Sequence, residues 1–459
     1  MDSLQEKLSR IIEPERISTS GEYLDELSWD ALSQSRFHPR HQPALAAPLL
    51  AVAPVCTEEV RQIVCFANRE RLPIVPFGGG SGLMGGALSI RAGVVMDLRR
   101  MNRVLHVDAE SRSARVQAGA VLEAVDLALN PVGFILGHDP WTVPVATVGG
   151  AISTNSVGYR AGIYGSMGDQ VLGLEAVMPT GEVLQTRPVA KHSAGINLNA
   201  LLVGGEGCFG IVTEATIRIF PKPETRIYHA YLFATFEQGY RAIQELFQRS
   251  LRPALLDFGD DADKHGGAIL YLVFEGNREL TAAEEKQAGA LCQAHGGKAL
   301  VGGEAEQFWR DRHEIARRFA RNRRQRREPS DNGVYRDWIH VALPSSRVLA
   351  FRNAAQDIVV RHGVHLQESG LWVQPELFSM RLCAETASVA NPQLVLEEAI
   401  EELLRLVQEM GGSMEYTHGV GVKLAPLMSQ EHGYGLQVMR QIKQALDPNN
   451  ILNPGKMDL

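Results

Sequence analysis

The chain has 459 residues, more than one hydrophobic core usually supports, so two or three domains are expected. Its 45% hydrophobic and 22% charged content is that of a globular enzyme, no apolar run approaches the ~18 residues that span a membrane, and a net charge of −7 argues against nucleic acid as the main partner. The five cysteines (Cys56, Cys65, Cys208, Cys292, Cys383) lack C-x-x-C spacing and the first residues lack a signal-peptide pattern. That fits reduced thiols in a cytoplasmic chain and argues against a four-cysteine iron–sulfur cluster.

In chain order, residues 1–44 read as an N-terminal arm with a short helix over 4–12. A strand over 49–55 leads to a helix with Thr57 as N-cap and Val60, Ile63, Val64 and Ala67 on one face. Strands follow over 72–75, 94–98, 104–107 and 114–117, then a helix over 122–129. From 141 to 220, glycine-rich loops alternate with strands over 171–178 and 212–219, so 45–223 form one α+β domain. Residues 224–410 form a second. Strand 226–233, helix 238–248, strands 254–259 and 268–275, helix 282–294 and strand 335–343 give the β-α-β-β-α-β order of a ferredoxin-like unit. Leu396, Ile400, Leu403, Leu404 and Val407 make an amphipathic helix stopped by Gly411-Gly412. The last segment, 411–459, carries a helix with Val438, Ile442, Ala445 and Leu446 on its apolar face.

The stretch Pro76-Phe77-Gly78-Gly79-Gly80-Ser81-Gly82-Leu83-Met84-Gly85-Gly86 carries the most information. Its glycines leave a backbone that adopts positive φ and approaches a ligand closely, and successive amides in such a turn converge on phosphate oxygens. A literal G-x-G-x-x-G runs from Gly80 to Gly85, but a Rossmann fingerprint opens a helix inside a βαβ unit, and here only 87–93 precede the next strand. The loop must hold a diphosphate without a helix dipole behind it, or else be an ordinary glycine-rich turn.

This stretch resembles the pyrophosphate loop of FAD-linked oxidases with the vanillyl-alcohol-oxidase (PCMH-type) fold, within them the glycolate oxidase flavin subunit, D-lactate and D-2-hydroxyglutarate dehydrogenase group. Collinear matches follow in Pro144–Gly150 with Ser153-Thr154-Asn155 and Gly158, in 165–174, in Gly204-Gly205-Glu206-Gly207-Cys208-Phe209-Gly210-Ile211-Val212-Thr213, and in Asp447-Pro448 through Asn453-Pro454-Gly455-Lys456. The resemblance implies a PCMH-type FAD-binding domain plus a ferredoxin-like cap over the flavin's reactive ring. It implies FAD contacts from Pro76, Gly78, Gly79, Gly80, Ser81 and Gly82. Further contacts are implied from Pro144, Thr147, Val148, Gly149, Thr154, Asn155, Gly158 and Gly165, and from Gly207, Gly210, Ile211, Val212 and Asn453. Some relatives attach FAD covalently through a histidine in the first loop. Here Ser81 stands there and no histidine lies between His41 and His106, so non-covalent FAD is expected.

A flavin enzyme asks the protein to hold substrate and handle a proton. His418, in Glu415-Tyr416-Thr417-His418-Gly419-Val420-Gly421, resembles the histidine of the family's G-E-H-G-I-G loop, which takes the hydroxyl proton; a turn-capping histidine is the alternative. Tyr416 is a second candidate, against simple packing, and Arg381 a third, for clamping a substrate carboxylate or phosphate. Metal-dependent members carry H-x-G-D-G-N-x-H where this chain reads 371–381, and a Glu where it has Thr417; Glu376 alone can ligate there, so no metal is expected. Trp372 and Phe378 either line a bulkier, more apolar pocket or pack in a core. The basic run Arg317–Arg327 is a solvated helix face or a source of substrate-clamping arginines.

Three activities stay open. The first is hydride removal from a 2-hydroxy acid or related alcohol to FAD, with a quinone or an electron-acceptor protein among the candidate reoxidants. The second is flavin-dependent alkyl transfer without net redox change, as the likeness of 417–421 to the H-H-G-V-G of alkyl-dihydroxyacetone-phosphate synthases implies. The third is a non-catalytic flavin subunit. A homodimer is also open.

Overall fold

The computed structural model describes residues 3–261, 266–322 and 333–459. In the first half, strand β1 (Leu50–Val52) leads into helix α1 (Thr57–Glu70), strand β2 (Ile74–Phe77) and, after the glycine-rich loop, strand β3 (Val94–Asp97). β1 and β2 both pair with β3 in parallel, and Ile17–Ser18 adds an antiparallel edge to β1. Helix α1 buries Val60, Ile63, Val64 and Ala67 as the spacing requires. Its N-cap is Cys56 rather than Thr57; the Thr57 hydroxyl instead donates to Glu175, 2.5 Å away. The first helix ends early, at Leu8, where Ser9 caps it.

A five-stranded antiparallel sheet follows. Its strands are β4 (Val104–Asp108), β5 (Ser113–Gln117), β6 (Val171–Val177), β7 (Val183–Gln185) and β8 (Ile211–Arg218), in the order β4-β5-β8-β6-β7. Helix α2 (Leu122–Leu129) and the short helix α3 (Val148–Ser153) pack into its core, Val148 and Ile152 being fully buried. The sequence reads 147–153 as loop because of Gly149 and Gly150. The helix forms because Thr147 Oγ1 accepts from the Gly150 amide and caps it.

The second half is one seven-stranded antiparallel sheet built from two like units. Strand β9 (Thr225–Phe233), helix α4 (Phe236–Gln248), strands β10 (Leu255–Asp261) and β11 (Gly267–Gly276), and helix α5 (Arg278–Ala294) make the first, closed by the two-residue strand β12 (Lys298–Ala299). Helix α6 (Glu304–Asp311) intervenes. Strand β13 (Val334–Ala342), helix α7 (Val348–His362), strands β14 (His365–Trp372) and β15 (Leu377–Glu385), and helix α8 (Pro392–Glu409) make the second.

The sheet order is β12-β9-β11-β10-β14-β15-β13. The ferredoxin-like order is therefore completed by β12, and the strand near 335–343 opens the second unit at the far edge. That corrects the sequence expectation. One sheet face packs on the helices through Leu256, Phe258, Leu371, Phe378 and Met380. Phe378 is fully buried there, so it is a core residue and not a pocket residue.

The tail helix α9 (Tyr434–Leu446) also departs from expectation. It buries Leu436 and Lys443, whereas Val438 and Ile442 are 39% and 38% exposed. The Lys443 ammonium donates to the carbonyls of Cys208 and Leu452 and to Asp447, a set of buried acceptors that outweighs an apolar face. Among the described residues no helix is long and apolar enough to cross a membrane.

Candidate functional site

Three loops meet at one cleft with about 1240 Å³ of empty space, its open mouth included. The first is the turn after β2: Pro76, Gly78, Gly79, Gly80, Ser81 and Gly82 line the cleft, and no helix follows them before β3. Gly79 lies so close to the second loop that a Cβ would stand 2.1 Å from the Val145 carbonyl oxygen. The second loop contributes Thr147, Gly149 and Thr154, the third Gly207, Gly210, Ile211 and Val212, and the C-terminal segment Asn453.

Pro144, Val148, Asn155, Gly158 and Gly165, also expected at the cofactor, do not line the cleft. Val148 is in the core; Asn155, at φ 47°, receives the Gly168 amide; a Cβ on Gly158 would collide with the Asp139 backbone; Gly165, at φ 76°, ends a turn against Asp169. Val148, Asn155, Gly158 and Gly165 thus hold the loops in shape.

Sequence reasoning left out two acids that do line the cleft. Asp30, from the N-terminal segment, keeps Oδ2 buried without a hydrogen-bond partner, and burial raises its carboxyl to about 6. Nothing in the arm's composition signals it. Glu206 lay within the matched third loop. Burial lifts its carboxyl to about 7, although the Val420 and Gly421 amides donate to it at 2.5 and 2.9 Å. Asn453 donates to the Gly86 and Glu206 carbonyls and keeps Oδ1 unpartnered. The cleft thus offers glycine backbone for phosphates and free buried acceptors for hydroxyl or amine donors, and FAD carries both kinds of group. The residues fit it.

His418 lines the same cleft. Glu206 pins its loop through Val420 and Gly421, and Gly421, at φ 54°, passes so near the first loop that a Cβ would stand 1.9 Å from the Met84 carbonyl oxygen. The His418 Nδ1 is 3.4 Å from Glu415 Oε1, which also receives the Thr417 and His418 amides at 2.8 and 2.9 Å. Burial acts to raise the Glu415 carboxyl, but His418 beside it holds it below the ordinary range. His340, on β13, meets the His418 ring edge-on at 4.6 Å; burial, then His418, push its imidazole down to about 3, so it is neutral. Tyr416 hydrogen-bonds Ser379 at 3.0 Å, and burial raises its phenol, which stays protonated.

Arg381 does not join them. It is half-exposed, 3.5 Å from Glu368, and does not line the cleft. Of the basic run, Arg317 pairs with Glu123 at 2.6 Å and Arg323 through Arg327 lie outside the described residues. Among the described residues the one His/Cys/Asp/Glu group that could hold a metal is His38, His41 and Glu401, away from the cleft. There the Arg40 amide donates to His38 Nδ1 at 3.1 Å, which puts the proton on Nε2, facing Glu401. A metal at Nε2 would need the ring proton on Nδ1, where the Arg40 amide already donates, so the arrangement disfavours ligation.

Two family models match the chain: "FAD binding domain" over residues 48–187 and "FAD linked oxidases, C-terminal domain" over residues 222–457. The chain is 29% identical to the glycolate oxidase subunit GlcD of Bacillus subtilis, covering 99% of this chain and 96% of that protein. It also superposes on p-cresol methylhydroxylase with TM-score 0.81 (18% identity, 99% of this chain and 96% of that one). Its TM-score with alkyldihydroxyacetonephosphate synthase is 0.79 (21% identity, 98% and 83%).

Proposed function

The chain belongs to the FAD-linked oxidases with a PCMH-type FAD-binding fold, and on that premise we propose that it takes a hydride from a carbon bearing a hydroxyl, with His418 receiving the hydroxyl proton. The single observation that carries this reading is the placement of His418 in the FAD cleft with Glu415 behind its imidazole. Bound FAD supplies the hydride acceptor. The loops 78–82 and 207–212 would hold it, non-covalently in this reading, since Ser81 offers no ring nitrogen for attachment.

The protein's share is positioning and proton handling. Ionised Glu415 orients His418 and stabilises the imidazolium that forms when it takes the proton. Neutral His340 packs against the ring without adding charge, and protonated Tyr416, hydrogen-bonded to Ser379, packs behind the loop that carries His418. The segment 371–381 forms the β14–β15 hairpin, and no metal takes part in this reading.

A second reading, transfer of an alkyl group without net redox change, draws support from the likeness to alkyldihydroxyacetonephosphate synthase. An anaerobic screen of hydroxy acids, aromatic alcohols and amino alcohols separates the two. Bleaching of the flavin by one of them is expected. Turnover of an acyl-to-alkyl exchange, with no alcohol bleaching the flavin, would overturn the proposal.

A further inference from the structure

The face of the seven-stranded sheet turned toward the flavin domain carries a carboxyl group that the proposed reaction does not use. Along β10, Leu256 and Phe258 enter the helix-covered core, so Asp257 between them points the other way, to the side of Leu255. Trp372 stands directly opposite it on β14. The next pair on that face is Gly259 opposite Gly370, which leaves the sheet bare beside them. The Trp372 ring meets Tyr159 edge-on at 5.1 Å and Tyr416 at 6.4 Å, and the Asp257 charge acts on both phenols.

Asp257 has no hydrogen-bond or ion-pair partner among the described residues, and burial, with Glu368 adding, pushes its carboxyl up to about 7. Asp257 is half-buried, and a carboxylate so placed without a partner is one that a cationic ligand can pair. The neighbouring cations are already paired: Arg160 and Arg226 with Glu275, Arg312 with Asp139. The cleft itself is lined by the acids Asp30 and Glu206 and, among the described residues, by no lysine or arginine. A substrate carboxylate would find acids here and no free cation.

Resting on the oxidoreductase reading above, we propose that Asp257, Trp372, Tyr159 and Tyr416 form a cation subsite, and that the substrate is an amino alcohol whose ammonium group sits there while its carbinol carbon reaches His418. Aromatic rings grouped beside a carboxylate are what an ammonium group, primary or N-methylated, selects. Tyr416 belongs to both places. Its ring borders the subsite, and its loop carries the base two residues on.

The test is calorimetric titration of FAD-loaded protein with phenethylammonium, 2-phenylethanol and phenylacetate, which share one phenylethyl frame. Phenethylammonium should bind about tenfold or more tighter than the alcohol, equivalent to about 1.4 kcal/mol, and phenylacetate weakest. In Asp257→Asn that preference should vanish with FAD content and melting temperature retained. Trp372→Leu, a second variant, should weaken the ammonium more than the alcohol. Tightest binding of phenylacetate, no binding of any probe, or an ammonium preference untouched in Asp257→Asn would overturn the subsite. The outcome is separable from the reading it rests on. If His418→Ala reduces its flavin as fast as wild type while the ammonium preference still follows Asp257, the base assignment falls and the subsite stands.

Discussion

Glu206 does more for the site than its place in a glycine-rich motif indicates. Its backbone takes φ 45°, its carboxyl collects two amides of the His418 loop, and its carbonyl collects Asn453, so one residue joins three cleft walls. Its carboxyl is raised from 4.5 to about 7. A raised acid contributes stability below its unfolded value that is lost as pH rises through the folded value, so this contribution declines between pH 4.5 and about 7. Glu206→Gln keeps an acceptor for the amides but cannot titrate. Chemical unfolding across pH 4.5–8 should give a flatter stability curve for the variant; parallel curves would refute the assignment. At this scale the sequence is uneven. His418 was legible because its loop and glycines form a recognisable string. Asp257 and His340 were not, because a lone polar residue in a strand declares its face only when the neighbouring strands are known.

Elements were legible where periodicity and burial agree, as in α1, and illegible where capping or pairing decides. The helix α3 runs through two glycines because Thr147 caps it, and Val148 and Ile152 anchor it in the core. Strand β13 has the same local pattern whether it ends one unit or begins another, and only the register with β15 settles which. Hydropathy picks the exposed face of the tail helix because it does not foresee a lysine satisfied by buried carbonyls. The cofactor loops fit the same logic. The Gly79 turn abuts the second loop so closely that Gly79→Ala must push the two apart, an overpacking that typically costs about 1–3 kcal/mol. Gel-filtered Gly79→Ala should therefore lose most of its FAD while keeping its far-ultraviolet circular dichroism. Full FAD occupancy would contradict the close-packed loop.

Over the whole molecule, buried ion pairs tie the halves together. Asp139, beside the cleft, meets Arg312 and His313 from the segment after α6 at 3.0 and 2.9 Å, and Arg160 at 3.8 Å. In the same way Arg36 of the N-terminal segment reaches Asp337 on β13, which Lys423 also binds. These pairs were invisible in sequence, since their partners lie 173 and 301 residues apart. Burial acts to raise the Asp139 carboxyl, but Arg160, Arg312 and His313 hold it far below its ordinary value of 3.8. A depressed acid contributes stability above its unfolded value that is lost as pH falls through the folded one. Asp139→Asn should cost about 3–5 kcal/mol at neutral pH, with the deficit shrinking below pH 3.8. Urea unfolding measures it, and an unchanged midpoint at pH 7 would show that the Asp139 pairs do not hold the halves together.

The central claim, that His418 takes the substrate proton as hydride leaves for the flavin, is tested most directly by stopped-flow flavin reduction of His418→Ala against wild type, both fully FAD-loaded, with the alcohol that bleaches the flavin best. Loss of a general base costs about 10²–10⁴-fold in rate, roughly 3–5 kcal/mol of barrier, and the account predicts a loss in that range with FAD content unchanged. A slowing of less than about tenfold, well outside the general-base range, would contradict it and take the role of base from His418.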